Sequence, residues 1–232
     1  MHRLGFQPAD VPEICKRMKK QSGLQALSVF SHPAGSDSPE HDQFTIKQAE
    51  LFVETVHKLE NGLGYKVYKH FLNSAGIERF PDYQLDMVRL GISLYGIGES
   101  QDLQTVCCLR TTILQIQKVQ AGESVGYGRM SYVGRDSRIA VLPIGYADGL
   151  NRRLSNGVGE VVIDGKRCPI VGNICMDTCM VDVTETSAKE GDKAIVFGKE
   201  LPVVELAQKS ETIPYEILTS VSPRVKRIYY RE

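Results

Sequence analysis

Two short segments of this chain carry side chains suited to holding a small charged molecule. Asn73-Ser74-Ala75-Gly76 is a run of small polar residues that reads as a turn, able to offer a hydroxyl and backbone N–H groups to an anion. Downstream, Arg89 stands inside the apolar run MVRLGISLYG, with Gly91-Ile92 just beyond it. A charge inside a buried strand needs a reason. One reason is structural: an arginine at a strand end that reaches solvent or pairs with Asp86. The other is chemical. Two backbone-exposing turns at adjacent strand ends, with a permanent positive charge between them, suit a phosphorylated cofactor.

The elements that would position these groups follow from periodicity. MHRLGF reads as the end of a strand. Asp10 to Gln21 reads as a helix with an N-cap at Asp10 and apolar residues at Val11, Ile14, Cys15 and Met18. Leu24 to Phe30 is strand-like, Phe44 to Leu59 is helical, and Tyr65 to Phe71 is a second strand leading into the Ser74 turn. Such alternation predicts βα units on a parallel sheet. Beyond about Ser100 the pattern changes. Strands are predicted within Thr105 to Val119 and at Arg138 to Pro143, Glu160 to Ile163, Arg167 to Val171, Met180 to Val183 and Lys193 to Phe197, with one helix at Val203 to Lys209. Pro169 marks its strand as an edge strand at best. The expected organisation is therefore an α/β unit over 1–100 and a mostly β unit over 101–232.

At 232 residues, with 28 Lys plus Arg against 28 Asp plus Glu, the chain can bury a sizeable core. Its zero net charge gives no reason to expect nucleic-acid or membrane partners. It has no signal-peptide pattern and no apolar run long enough to span a bilayer. The six cysteines are irregularly spaced, and Cys175 and Cys179 lack the paired halves of a zinc site. Reduced thiols in a cytoplasmic protein, with no metal, are the expectation.

The segments HFLNSAGI and DMVRLGISLYG, with MHRLGF, FSH, GESVGYG, VLPIGYADG, IVGNICMD and TIPYEI, occur in the order found in alanine racemases, and the chain resembles that family over nearly its whole length. The resemblance implies the back portion of a (β/α)8 TIM-type barrel that binds pyridoxal 5′-phosphate (PLP), followed by a C-terminal β domain carrying the catalytic tyrosine. It implies interconversion of L- and D-alanine, D-alanine supply for peptidoglycan, and a head-to-tail homodimer whose β domain reaches the other subunit's active site.

Residue by residue, the resemblance makes Tyr127 the catalytic base. A phenol with an ordinary pKa of about 10 needs a nearby positive charge for that work. Arg89 would face the pyridine nitrogen, with His32 and His70 behind it. Arg3 would lie near the cofactor's phenolic oxygen and, through it, the substrate carboxylate. Ser74, Gly91, Ile92 and Tyr215 would hold the phosphate, with Asn73 buttressing the turn. Tyr146, Cys175, Met176 and Asp177 would line the substrate entrance and pocket, with Arg224 a candidate neighbour.

The chain also departs from the pattern. No lysine lies in a K-A-N-A-Y-G-H-G-like context, where the family carries its cofactor lysine, and residues 1–100 hold only three or four βα units where a closed barrel has eight. The family's N-terminal strand is missing, and Met1 matches an internal methionine. A truncated chain, inactive alone, is expected. A non-catalytic dimerisation module and a racemase of broader amino-acid specificity remain as alternatives.

Overall fold

The computed structural model describes residues 1–229, which fall into two compact units, Met1–Gln104 and a second beginning at Thr105.

The first unit is built on helix α2 (Asp42–Leu63). Ala49, Phe52, Val56, Leu59 and Leu63 recur at three- and four-residue intervals and form one buried stripe. The helix runs past the expected end at Leu59 because Leu63 continues that stripe. Gly64 then stops it in the left-handed region (φ 85°), its N–H donating to the Glu60 carbonyl. Helix α1 (Val11–Lys19) packs on α2 with Cys15 against Gly62, where an added Cβ would lie 2.4 Å from the sulfur. Asp10 does not cap α1. Its carboxylate accepts the Gln7 N–H at 2.7 Å across a 3₁₀ turn at Pro8–Asp10.

Strands β1 (Ser28–Phe30) and β2 (Tyr68–His70) pair in parallel, with Ser28 opposite Tyr68 and Phe30 opposite His70. Both are shorter than their apolar runs, because pairing rather than composition sets strand length. The Met1–Phe6 segment forms no strand, since no neighbour pairs with it among the described residues. The MVRLGISLYG run is not a strand either. Asp86 and Met87 donate to the Lys69 carbonyl and Arg89 to the Leu72 carbonyl, but only His70 and Met87 form a bridge. At Gly91 (φ −129°, ψ −96°) the chain leaves the extended region and enters a 3₁₀ turn at Ile92–Tyr95. The expected turn at Asn73–Gly76 is instead the start of helix α3 (Ser74–Arg79), capped by Asn73.

The second unit holds a seven-stranded antiparallel sheet: β3 (Leu109–Thr112), β4 (Gln115–Val119), β7 (Ser137–Leu142), β8 (Glu160–Ile163), β9 (Lys166–Val171), β10 (Cys179–Asp182) and β11 (Lys193–Phe197). A hairpin of β5 (Ser124–Val125) and β6 (Ser131–Tyr132) stands apart. The sheet order is β3-β11-β8-β9-β10-β7-β4. Its two end strands are joined by Ile113-Leu114 alone, so the sheet must curl to bring its ends together. Leu142, Val161, Ile163, Ile170, Val181 and Val183 fill its interior.

Pro169 lies in an interior strand, not an edge. Ile170 turns its N–H toward Gly159, so the Pro169 nitrogen faces β10. The β9–β10 ladder covers only Ile170 and Val171 and never asks Pro169 for a donor. Two helices follow the sheet rather than one, α4 (Val203–Lys209) and α5 (Pro214–Ser220). No helix among the described residues is long and apolar enough to cross a membrane.

Candidate active site

In the first unit the geometry centres on Arg89. One terminal guanidinium nitrogen donates to His70 Nδ1 at 3.0 Å and to the His70 carbonyl at 3.1 Å. The other donates to His32 Nδ1 at 3.1 Å and to the carbonyls of Ser31 at 2.7 Å and Phe71 at 2.9 Å. The guanidinium lies 5.1 Å from the centre of the Phe30 ring, which stacks on His70. Asp86 takes no part. It accepts the Lys69 N–H and pairs with the Lys69 ammonium at 3.3 Å. The strand register brings these groups together. Phe30 and His70 are paired on adjacent parallel strands, and each strand's continuation supplies a carbonyl to the same arginine.

Because Arg89 has no lone pair to offer, both Nδ1 atoms must be acceptors, which puts the ring protons of His32 and His70 on Nε2. Burial first, and the Arg89 charge second, hold both imidazoles below the ordinary histidine pKa; Arg3 and the chain's amino group add to this at His32. In the unfolded chain these rings protonate near pH 6.5, while the folded ones stay neutral further down. Folding stability is therefore expected to fall as pH drops below about 6.5. Urea midpoints measured from pH 7 to 5 should show this, and a His32→Asn/His70→Asn variant, which keeps acceptors but removes the titration, should show a shallower fall.

A second cluster forms where the start of α3 meets the segment after Arg89. Ser74 Oγ accepts the Gly91 N–H at 2.9 Å and the Ser93 N–H at 3.4 Å, which leaves its own hydrogen to donate. The Ile92 N–H has no acceptor among the described residues, and neither does the Nε–H of Arg89. The Ser93 hydroxyl is buried without a partner among them. Asn73 Oδ1 accepts the Gly76 N–H at 3.0 Å. Arg3 is exposed and makes no hydrogen bond there, although its charge reaches His32.

In the second unit, Tyr127 is carried at the tip of the β5–β6 hairpin between Gly126 (φ 78°) and Gly128 (φ 73°). Its side chain is 72% exposed, while its carbonyl is held by Asn173 Nδ2 at 2.9 Å. The loop at Tyr146 docks on the Cys175–Asp177 loop through backbone alone: Tyr146 N–H to the Cys175 carbonyl at 3.1 Å, Ala147 N–H to the Met176 carbonyl at 3.0 Å. A Cβ at Gly145 would lie 2.3 Å from both carbonyl oxygens, so the close approach requires glycine.

Arg224 clamps the same two loops, donating to Asp148 Oδ1 and Asp177 Oδ1, each at 2.7 Å. Burial opposes ionisation of Asp148, but Arg224 and the Gly145 N–H outweigh it and hold the carboxyl below its usual range. Tyr215 lies on α5, half exposed, its carbonyl accepting the Thr219 hydroxyl at 2.7 Å. Sequence reasoning missed Phe30 and Asp148. The first shows only in the strand register; the second was in view in the GYADG segment but needed the fold to pair it with Arg224.

Parallel strands whose ends carry a half-buried arginine beside a hydroxyl-and-amide cradle, followed by a curled β unit, are the arrangement of part of a TIM-type barrel joined to a β domain. Comparison with known proteins agrees. Residues 1–99 match the alanine racemase N-terminal domain and residues 106–229 the alanine racemase C-terminal domain. The chain is 41% identical to alanine racemase 2 of Caldanaerobacter subterraneus subsp. tengcongensis over 99% of its own length and 62% of that protein's. It is 38% identical to alanine racemase 1 of Oceanobacillus iheyensis, over 99% and 64%. Among solved structures, the alanine racemase of Streptomyces lavendulae superposes with a TM-score of 0.92 at 32% identity, covering 100% of this chain and 64% of that one. That of Bartonella henselae, with covalently bound pyridoxal phosphate, gives 0.88 at 34%, covering 99% and 64%. The chain belongs to the alanine racemase family, and it spans about three fifths of the length of these relatives.

Proposed function

We propose that this polypeptide carries part of the machinery for PLP-dependent interconversion of L- and D-alanine, which supplies D-alanine for peptidoglycan in the cytoplasm, and that, with no lysine in the family's cofactor-carrying context, it is inactive alone. The observation that carries the proposal is the state of Arg89: both terminal nitrogens are saturated by five acceptors, and Nε–H is left without one among the described residues. The donor set fits PLP. Arg89 offers one N–H to a ring nitrogen, and the Ser74 hydroxyl and Ile92 N–H offer two more to a phosphate, with Gly91 keeping the backbone close to Ser74. When bound, PLP supplies the electron sink that makes the alanine Cα–H acidic.

What this chain's own residues do then follows. Arginine keeps its proton at neutral pH, so Arg89 donates a hydrogen bond without transferring the proton, which limits the ring's pull on electrons and disfavours side reactions. His32 and His70, neutral and accepting, fix the guanidinium plane. Tyr127 moves a proton at the substrate Cα on one face. Its exposure on a hairpin tip of the β unit supports a role toward a second copy of the chain in a head-to-tail homodimer. Tyr146, Cys175, Met176 and Asp177 shape the substrate pocket, Arg3 and Tyr215 complete the cofactor contacts, and Arg224 holds the pocket loops. Lys69 does not stand in for a cofactor-carrying lysine: it neighbours His70 on β2, so its side chain takes the opposite face, where it pairs with Glu60 and Asp86.

PLP titrated into the 232-residue chain is expected to produce a saturable absorbance change, without a borohydride-reducible attachment to a lysine and without racemisation of alanine detectable by circular dichroism. Absence of saturable binding overturns the cofactor assignment. Attachment to a lysine with racemisation overturns the expected inactivity.

A further inference from the structure

We infer that Ser36 and Arg79 are positioning residues for the phosphate end of the cofactor site, an inference that rests on the PLP reading above. Ser36 is 1% exposed, in the loop that follows His32. Its hydroxyl donates to Asn73 Oδ1 at 2.8 Å, the same oxygen that accepts the Gly76 N–H. The Gly76 N–H can only donate and so selects one orientation of the Asn73 amide, and the Ser36 hydroxyl adds a second donor that fixes the selected oxygen in place. Arg79 holds Ser36 in place, donating to its carbonyl at 2.7 Å and to Asp42 Oδ1 at 2.5 Å.

The consequence lies at Ser74, the residue after Asn73. Its hydroxyl meets the Gly91 N–H, and that contact joins the start of α3 to the segment carrying Arg89. At the other end of the loop, Gln48 of α2 accepts the Ala34 N–H and donates to the His32 carbonyl. The loop therefore has one anchor at the Arg89–His32 cluster and another at the Asn73–Ser74 turn. A ligand with a ring nitrogen at one end and a phosphate at the other needs those two points at a set separation. Ser36 and Arg79 touch neither end of it; they act through Asn73.

The test compares PLP with pyridoxal, which has the ring and no phosphate, on the wild-type chain and on Ser36→Ala and Arg79→Met variants, with folding checked by far-ultraviolet circular dichroism. Losing a buried hydrogen bond that orients Asn73 should weaken PLP about tenfold in each variant and leave pyridoxal within about twofold. Inorganic phosphate should compete with PLP correspondingly less well. Equal weakening of PLP and pyridoxal in both variants would mean a structural role only and overturn the inference. So would unchanged PLP affinity. A wild-type chain that binds neither compound overturns the PLP reading itself, and this inference with it.

Discussion

Replacing Arg89 with leucine is expected to abolish measurable PLP binding and to cost the first unit about 3 kcal/mol of stability. Five acceptors converge on the two terminal nitrogens: the carbonyls of Ser31, His70 and Phe71 and the Nδ1 atoms of His32 and His70. Leucine leaves them facing an apolar side chain, and unmade hydrogen bonds at partly buried groups cost about 1–3 kcal/mol each where water does not replace them. The same substitution removes a positive charge from beside two imidazoles, so their pKa values should rise toward the ordinary histidine value, burial still holding them below it. Nuclear magnetic resonance titration of the imidazoles reads this directly. Unmoved histidine titrations, or PLP affinity within a few-fold of wild type, would remove Arg89 from the centre of the site. Arg89→Lys should recover part of the stability and little of the binding, because an ammonium cannot meet five acceptors and keep a further donor free.

Phe71→Ala is expected to destabilise the first unit by about 3–5 kcal/mol, measured as a shift in urea midpoint at pH 7. Phe71 is fully buried, stacks on Phe52 with ring centres 5.8 Å apart, and belongs to the cluster that joins α1 and α2 to the strands. Alanine leaves a cavity that the rest of this cluster would have to collapse to fill. A loss below about 1 kcal/mol would mean that this core repacks freely and does not hold its strand ends in register. The Phe71 carbonyl is also one of the Arg89 acceptors, so PLP affinity should fall along with stability.

The family was legible in the sequence because its motifs are local. Asn73-Ser74-Ala75-Gly76, Gly126-Tyr127-Gly128 and Cys175-Met176-Asp177 each place a reactive or hydrogen-bonding group next to residues whose backbone freedom or small size it needs, and such needs survive in a linear string. The α2 stripe and the change from βα units to strands near Ser100 were readable for a similar reason: periodicity belongs to a segment and requires no partner.

Partnership itself was not readable. The MVRLGISLYG run has a strand's composition, yet only Met87 bridges to β2 before Gly91 turns the chain away. Pro169 looked like an edge residue, but it occupies an interior strand because the β10 ladder stops one residue short of it. Phe30 stacking on His70 under Arg89, Ser36 orienting Asn73, and Arg224 joining Asp148 to Asp177 all connect residues far apart in the chain. The sequence by itself determined which groups were available and what chemistry each could do. Only the tertiary structure decided which acceptors each donor met, because a hydrogen bond or a strand pairing depends on register and distance between segments, and neither is a property of either segment alone.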